Sequence, residues 1–167
     1  IALKDPADPA FNYEKLYDTV KLKTFQFRLA GGGAHYFKTG RQTTVKAGLQ
    51  AGVFGSGNIF RNEAFRIGGY RLLRGFDEES QFVSQYAVGT IEYRILLQRA
   101  SNFFAFVDGG LGKQLDRQNH SYLGTGLGIS SETGAGIFNL VWAIGKRDDT
   151  QFNLRQSKVH LGFINYF

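Results

Sequence analysis

The sequence predicts an all-β chain: antiparallel strands that form a transmembrane β-barrel. Three observations carry that expectation. Apolar residues recur with period 2 over runs longer than ordinary strands. Glycine (22 residues) and aromatics (15%) are abundant, while cysteine and methionine are absent. Short turns alternate with longer loops, as in membrane barrels.

Residues 1–20, with Pro6 and Pro9, read as a loop or partial strand. The segment 21–37 is a loose strand in which Phe25, Phe27 and Leu29 oppose Gln26 and Arg28. Its Gly31-Gly32-Gly33 run marks a bend or close packing. After the turn Thr39-Gly40-Arg41, the odd positions Thr43, Val45, Ala47, Leu49, Ala51 and Val53 oppose Thr44, Lys46, Gly48, Gln50 and Gly52. A long connection, 55–84, follows. From Gln85, the face Ala87, Gly89, Ile91, Tyr93, Ile95, Leu97 opposes Val88, Thr90, Glu92, Arg94. From Asn102, Phe103, Ala105, Val107 and Leu111 oppose Phe104, Phe106, Asp108 and Gly110. From Tyr122, Leu123, Thr125, Leu127 and Ile129 oppose Gly124, Gly126, Gly128 and Ser130. From Gly136, Phe138, Leu140, Trp142 and Ile144 oppose Asn139 and Gly145. In the last strand Val159, Leu161, Phe163 and Phe167 oppose His160, Gly162, Ile164 and Tyr166.

These runs approach the ~9–11 residues of a tilted membrane-spanning strand and exceed the ~5–6 of a mean globular one. Their second face carries Gly, Thr, Gln, Asn, Arg, Glu and Asp, the small and polar residues of a barrel lumen. A soluble β-sandwich or barrel is the alternative, though its polar face would be richer in Lys and Glu. The organisation expected is 1–20 as loop or partial strand and 21–167 as barrel, about seven to eight strands. A connection as long as 55–84 inside a compact domain is usually functional.

Composition removes several classes. Aromatic richness excludes disorder, the missing cysteines exclude disulfide frameworks and thiolate metal sites, and no apolar run approaches the ~18 residues of a membrane helix. The charge is basic, 20 Lys+Arg against 14 Asp+Glu, but scattered without a like-charge block, which argues against nucleic acid as a partner. The first residues lack the basic and apolar regions of a signal peptide.

The long connection contains Arg66-Ile67-Gly68-Gly69-Tyr70-Arg71-Leu72-Leu73-Arg74-Gly75-Phe76. Here the chain resembles the BamA-like family of outer-membrane assembly and translocation barrels, the bacterial surface antigens, over about residues 20–167. That family carries a hydrophobic-Arg-Gly-aromatic tetrad at the tip of a long loop, after a glycine pair. The matching residues are Leu73-Arg74-Gly75-Phe76 and Gly68-Gly69. The resemblance implies a loop folded into the lumen with Arg74 against inner-wall acids, which would be Glu92 and Asp108. Parity alone puts both acids on the polar face of consecutive strands. A carboxylate near a planar guanidinium gains a charge-assisted, often bidentate contact, and Arg94 on the same face would balance the second acid.

The end of the chain adds Gly162, Tyr166 and Phe167, which fit the terminal-aromatic signal of such barrels, while the polar Asn165 departs from it. The family's larger barrel implies that this is a C-terminal part. The resemblance further implies location in the bacterial cell outer membrane and the insertion or translocation of outer-membrane polypeptides. It implies as partners outer-membrane lipid and lipopolysaccharide, unfolded outer-membrane polypeptides, periplasmic domains and accessory lipoproteins. Alternatives are a barrel anchoring a fused enzyme such as a patatin-like lipase, or a passive pore.

No catalytic residue, cofactor or metal is expected. His35, His120 and His160 lack metal-ligand spacing. Gly55-Ser56-Gly57 is not a nucleophile motif, and Gly124-Thr125-Gly126-Leu127-Gly128 lies in a strand rather than at a strand-to-helix turn, so it is no phosphate loop.

Overall fold

The period-2 runs form one antiparallel sheet in the computed structural model, which describes residues 25–57, 59–98 and 101–165. The strands are β1 (Phe27–Lys38), β2 (Thr43–Gly55), β3 (Phe65–Ile67), β4 (Gln81–Gln98), β5 (Ser101–Gln114), β6 (Asn119–Thr133), β7 (Gly136–Arg147) and β8 (Lys158–Asn165). Their order is β1-β2-β4-β5-β6-β7-β8, with β3 paired to β4 beyond the end of β2. The sheet is open, with β1 and β8 at its edges. Residues 1–20, the turn at 99–100, and Tyr166 and Phe167 lie outside the described residues.

Apart from β3, which lies in the long connection between β2 and β4, strands consecutive in sequence pair with one another, which antiparallel pairing permits without crossovers. Apart from β3 and the eight-residue β8, the strands run 12 to 18 residues. A one-turn 3-10 helix, Leu154–Gln156, leads into β8, capped by the Asn153 side chain on the Arg155 N–H.

Alternation in sequence becomes alternation in burial. Phe103, Val107, Leu127, Leu140, Trp142 and Phe163 point outward and are exposed, whereas Glu92, Asp108 and Asn139 point inward and are buried. An isolated chain with that pattern is inside out relative to a water-soluble one. The inner face is not wholly polar, however. Phe104, Phe106, Val141 and Ala143 form one buried cluster on it, and Leu73 packs with Phe54, Phe65, Ile67, Val83, Val88 and Tyr122 in another. Both clusters lie where the connection between β2 and β4 folds against the sheet. Phe104, Phe106 and Val88, apolar residues on the inner parity, pack against residues of this connection, Tyr70 and Leu73 among them.

Candidate functional site

The site starts from backbone geometry in the long loop. Gly68 (φ 113°) and Gly69 (φ 99°) occupy the left-handed region, which side chains with a Cβ rarely adopt. The resulting turn closes through the Gly69 N–H donating to the Leu73 carbonyl at 3.0 Å. The Glu78 carboxylate accepts the Tyr70 N–H at 3.1 Å, so the descending and returning arms are tied together. Tyr70 packs on the inner aromatic cluster. This hairpin-like tip delivers Leu73, Arg74, Gly75 and Phe76 to the inner wall.

Two rows of inward positions receive it. Register places Thr90, Asp108, Gly124 and Gly145 side by side across β4 to β7, and Glu92, Phe106, Gly126 and Ala143 in the adjacent row. Arg74 spans both. Its Nε donates to Asp108 Oδ2 and its Nη2 to Asp108 Oδ1, each at 2.8 Å, a bidentate pair. Its Nη1 donates to Glu92 Oε2 at 2.8 Å, and its own backbone N–H adds a bond to Asp108 Oδ2 at 3.0 Å. Thr90 Oγ1 donates to Asp108 Oδ1 at 2.8 Å, and the Arg94 guanidinium takes the second oxygen of Glu92. The guanidinium carbon of Arg74 sits 3.5 Å from the centre of the Phe106 ring.

The four charges balance: Arg74 and Arg94 against Glu92 and Asp108. Asp108 is 0% exposed, Glu92 1% and Arg74 7%. Charges this buried are tolerated because the donors fill the carboxylate lone pairs and the cation lies on an aromatic face. Removing one partner would leave an uncompensated buried ion.

The tip's backbone touches strand backbone directly. A Cβ on Gly124 would strike the Arg74 carbonyl, and one on Gly145 would strike the carbonyl of Gly75. Gly75 (φ 92°) lies over Ile144 and Gly145 with no room for a side chain. Its N–H points at His160 Nε2 on β8 at 3.4 Å. Phe76 meets Tyr122 edge to face at 5.6 Å, and Lys158 of β8 pairs with Asp77 at 2.8 Å. Gly162 of β8 faces the Tyr70 ring.

The geometry thus gathers Gly68, Gly69, Arg74, Gly75, Phe76, Glu92, Asp108 and Gly162 around one loop. Tyr166 and Phe167 lie outside the described residues. Sequence reasoning missed Phe106, Thr90 and the Gly124–Gly145 seat. The signal was present in part: Phe106 stands two residues before Asp108 on the polar parity, where an aromatic is unexpected.

A second charged cluster lies at the loop rim. His120 Nδ1 is 2.8 Å from Asp148 Oδ1, and Asp149 binds the guanidinium of Arg147 through both oxygens. His120, Asp148 and Asp149 bring their ligating atoms within 4.8 Å of one another. The hydrogen bond from His120 holds the Asp148 carboxyl below the usual carboxylate range, and Arg147 does the same for Asp149. These partners give the cluster the character of a rim ion-pair network.

Between β1, β2, the loop and the inner wall lies an open cavity of about 1420 Å³, bordered by Lys46, Gln50, Arg71, Arg94 and Asn102 among others. A family profile described as the Omp85 superfamily domain matches residues 10–162. No curated protein matches the chain.

Proposed function

Because the chain belongs to the Omp85 superfamily, a family of outer-membrane proteins that insert or translocate polypeptides, we propose that it forms the part of an outer-membrane barrel in which a lumen-side lock braces the wall while client polypeptides are inserted or translocated. One observation carries the reading. A loop tip is fixed to the inner wall through a buried Arg74 that holds Asp108 of β5 bidentately and Glu92 of β4 monodentately, while the tip's backbone lies against Gly124 of β6 and Gly145 of β7. A passive pore has no use for so costly an arrangement across its lumen. In a barrel whose wall must yield to a client strand without collapsing, the same arrangement holds β4 to β7 in register while an edge elsewhere opens. Unpaired strand edges template added strands, and that is the chemistry by which an unfolded outer-membrane polypeptide would be received.

In this reading the strands and loop have no catalytic chemistry of their own. Its surroundings are outer-membrane lipid and lipopolysaccharide, with periplasmic domains and accessory lipoproteins as helpers. The test is replacement of the protein in cells by Arg74→Ala. The variant should still reach the outer membrane, while folded client barrels, scored by heat-modifiable mobility, decline. Undiminished client assembly with the loop displaced would remove the lock from the mechanism.

A further inference from the structure

The outward face of the sheet is not uniformly convex. Behind the lock, small residues interrupt the wall. Ala105 and Thr125 stand at the bottom of a groove of about 430 Å³ whose sides are Tyr93, Leu127, Trp142 and Ile144. These positions occupy two adjacent outward rows across β4 to β7. The one hydroxyl on the floor is turned away from it: Thr125 Oγ1 donates to the Phe106 carbonyl at 2.9 Å, so Thr125 presents its methyl. A dry, apolar depression on a face that meets bilayer hydrocarbon fits one flexible alkyl chain.

A cation marks where the headgroup of that chain would sit. Lys146 follows Ile144 by two positions on the outward parity of β7 and is the next-to-last residue of the strand. It therefore lies roughly 7 Å along the strand from the groove, at the rim. Its ammonium is 5.8 Å from the Phe152 ring, and Phe152 and Leu154 are exposed in the adjoining connection. Aromatic and basic residues above an apolar band are the pattern of a membrane interface.

We infer that this groove is a specific site for one acyl chain of an anionic phospholipid, with the chain lying over Ala105 and Thr125 and the headgroup held at Lys146. The inference rests on the membrane placement proposed above. It adds a defined lipid position directly behind Phe106, the ring on which Arg74 lies.

Trp142, the only tryptophan of the chain, is a wall of the groove and reports on it. The whole protein is reconstituted in phosphatidylcholine with rising fractions of brominated phosphatidylglycerol. Quenching of Trp142 is taken as the difference from a Trp142→Phe variant. The expected result is quenching that saturates at low brominated fraction, with about fivefold enrichment over brominated phosphatidylcholine, the effect of one lysine beside an anionic headgroup. Ala105→Leu, which fills the floor with another lipid-compatible side chain, should return quenching to proportionality with bulk composition. Lys146→Gln should erase the preference for the anionic lipid and keep saturation. Proportional quenching in the parent, unchanged by Ala105→Leu, overturns the site while leaving the membrane placement intact. No quenching by any brominated lipid overturns both.

Discussion

β1 and β5 have similar lengths, 12 and 14 residues, yet they live in different surroundings. Every residue of β1 is exposed, whereas β5 alternates buried and exposed along most of its length. β2 is intermediate, with burial at Gly52 and Phe54 near its loop end. The difference is the loop. It covers the inner face of β4 to β7 and leaves the β1–β2 wing facing the cavity, touching that wing through contacts such as Arg28 over the Phe65 ring. Alternation therefore states which face a residue takes, and the loop decides what that face meets. The covered wall can hold buried charge because its partners arrive with the loop; the wing's inward groups, Lys46 and Gln50, rely on the open cavity.

The sharpest way to break this contrast is to remove the charge that holds the loop. Arg74→Ala should cost about 3–5 kcal/mol, the range for stranding a buried partner, and less where water enters. Paired with Asp108→Asn in a double-mutant cycle on heat unfolding, it should be strongly non-additive. Strict additivity would mean that the two residues do not act as a unit. Arg74→Lys should restore only part of the loss, because an ammonium cannot reproduce the planar fork.

The outward face sharpens the contrast from the other side, since both regions should there behave alike. Leu127→Arg on the covered wall and Leu49→Arg on the wing should each cost about 2–4 kcal/mol in a bilayer, where an arginine near the midplane meets hydrocarbon. Cysteines at the same two positions should react with bilayer-soluble probes and resist aqueous ones. Ready aqueous labelling of both would contradict the membrane placement.

A smaller effect separates the inner faces. Phe106→Leu keeps apolar contact but removes the ring beneath Arg74, and should cost up to about 2 kcal/mol, the value of a desolvated cation–π contact. Gln50→Ala, on the wing, should stay within about 0.5 kcal/mol. Chemical denaturation of the refolded protein measures both, and equal values would erase the distinction between wall and wing.

The least effect is expected at the rim. Asp148 and Asp149 have carboxyls held below the ordinary range by His120 and Arg147. Groups lowered in the folded state contribute stability that is fully present above the ordinary carboxylate pKa and is lost as pH falls through the lowered value. Acid should thus loosen the connection after β7 while the sheet persists. Cleavage by an acid protease within 148–153, with β6 and β7 left intact, is the expected outcome.

Much of this was legible in the sequence. Parity alone set Glu92 and Asp108 inward, and the tetrad with its glycine pair identified the loop that meets them. What escaped did so for a physical reason. Parity describes a strand against one environment, but Phe104 and Phe106 face a second piece of protein that covers only part of the sheet. Gly124 and Gly145 read as small lumen residues because nothing local says that a loop's backbone will land there. The contacts of β8, Lys158 with Asp77 and His160 with Gly75, join segments more than eighty residues apart and have no local pattern. The short strand β3 has too few residues to show a period.

The seat of the loop tip is built from chain that follows it. Arg74 and Gly75 precede in the chain nearly everything they touch: Asp108 on β5, Gly124 on β6, Gly145 on β7 and His160 on β8. A lone later strand offers no seat, because the tip rests across several registers at once. The full seat therefore exists only where β4 to β8 are paired. The docked tip thus depends on the register of the five strands that follow it, since a slip by one residue would turn Asp108 and both glycines to the opposite face.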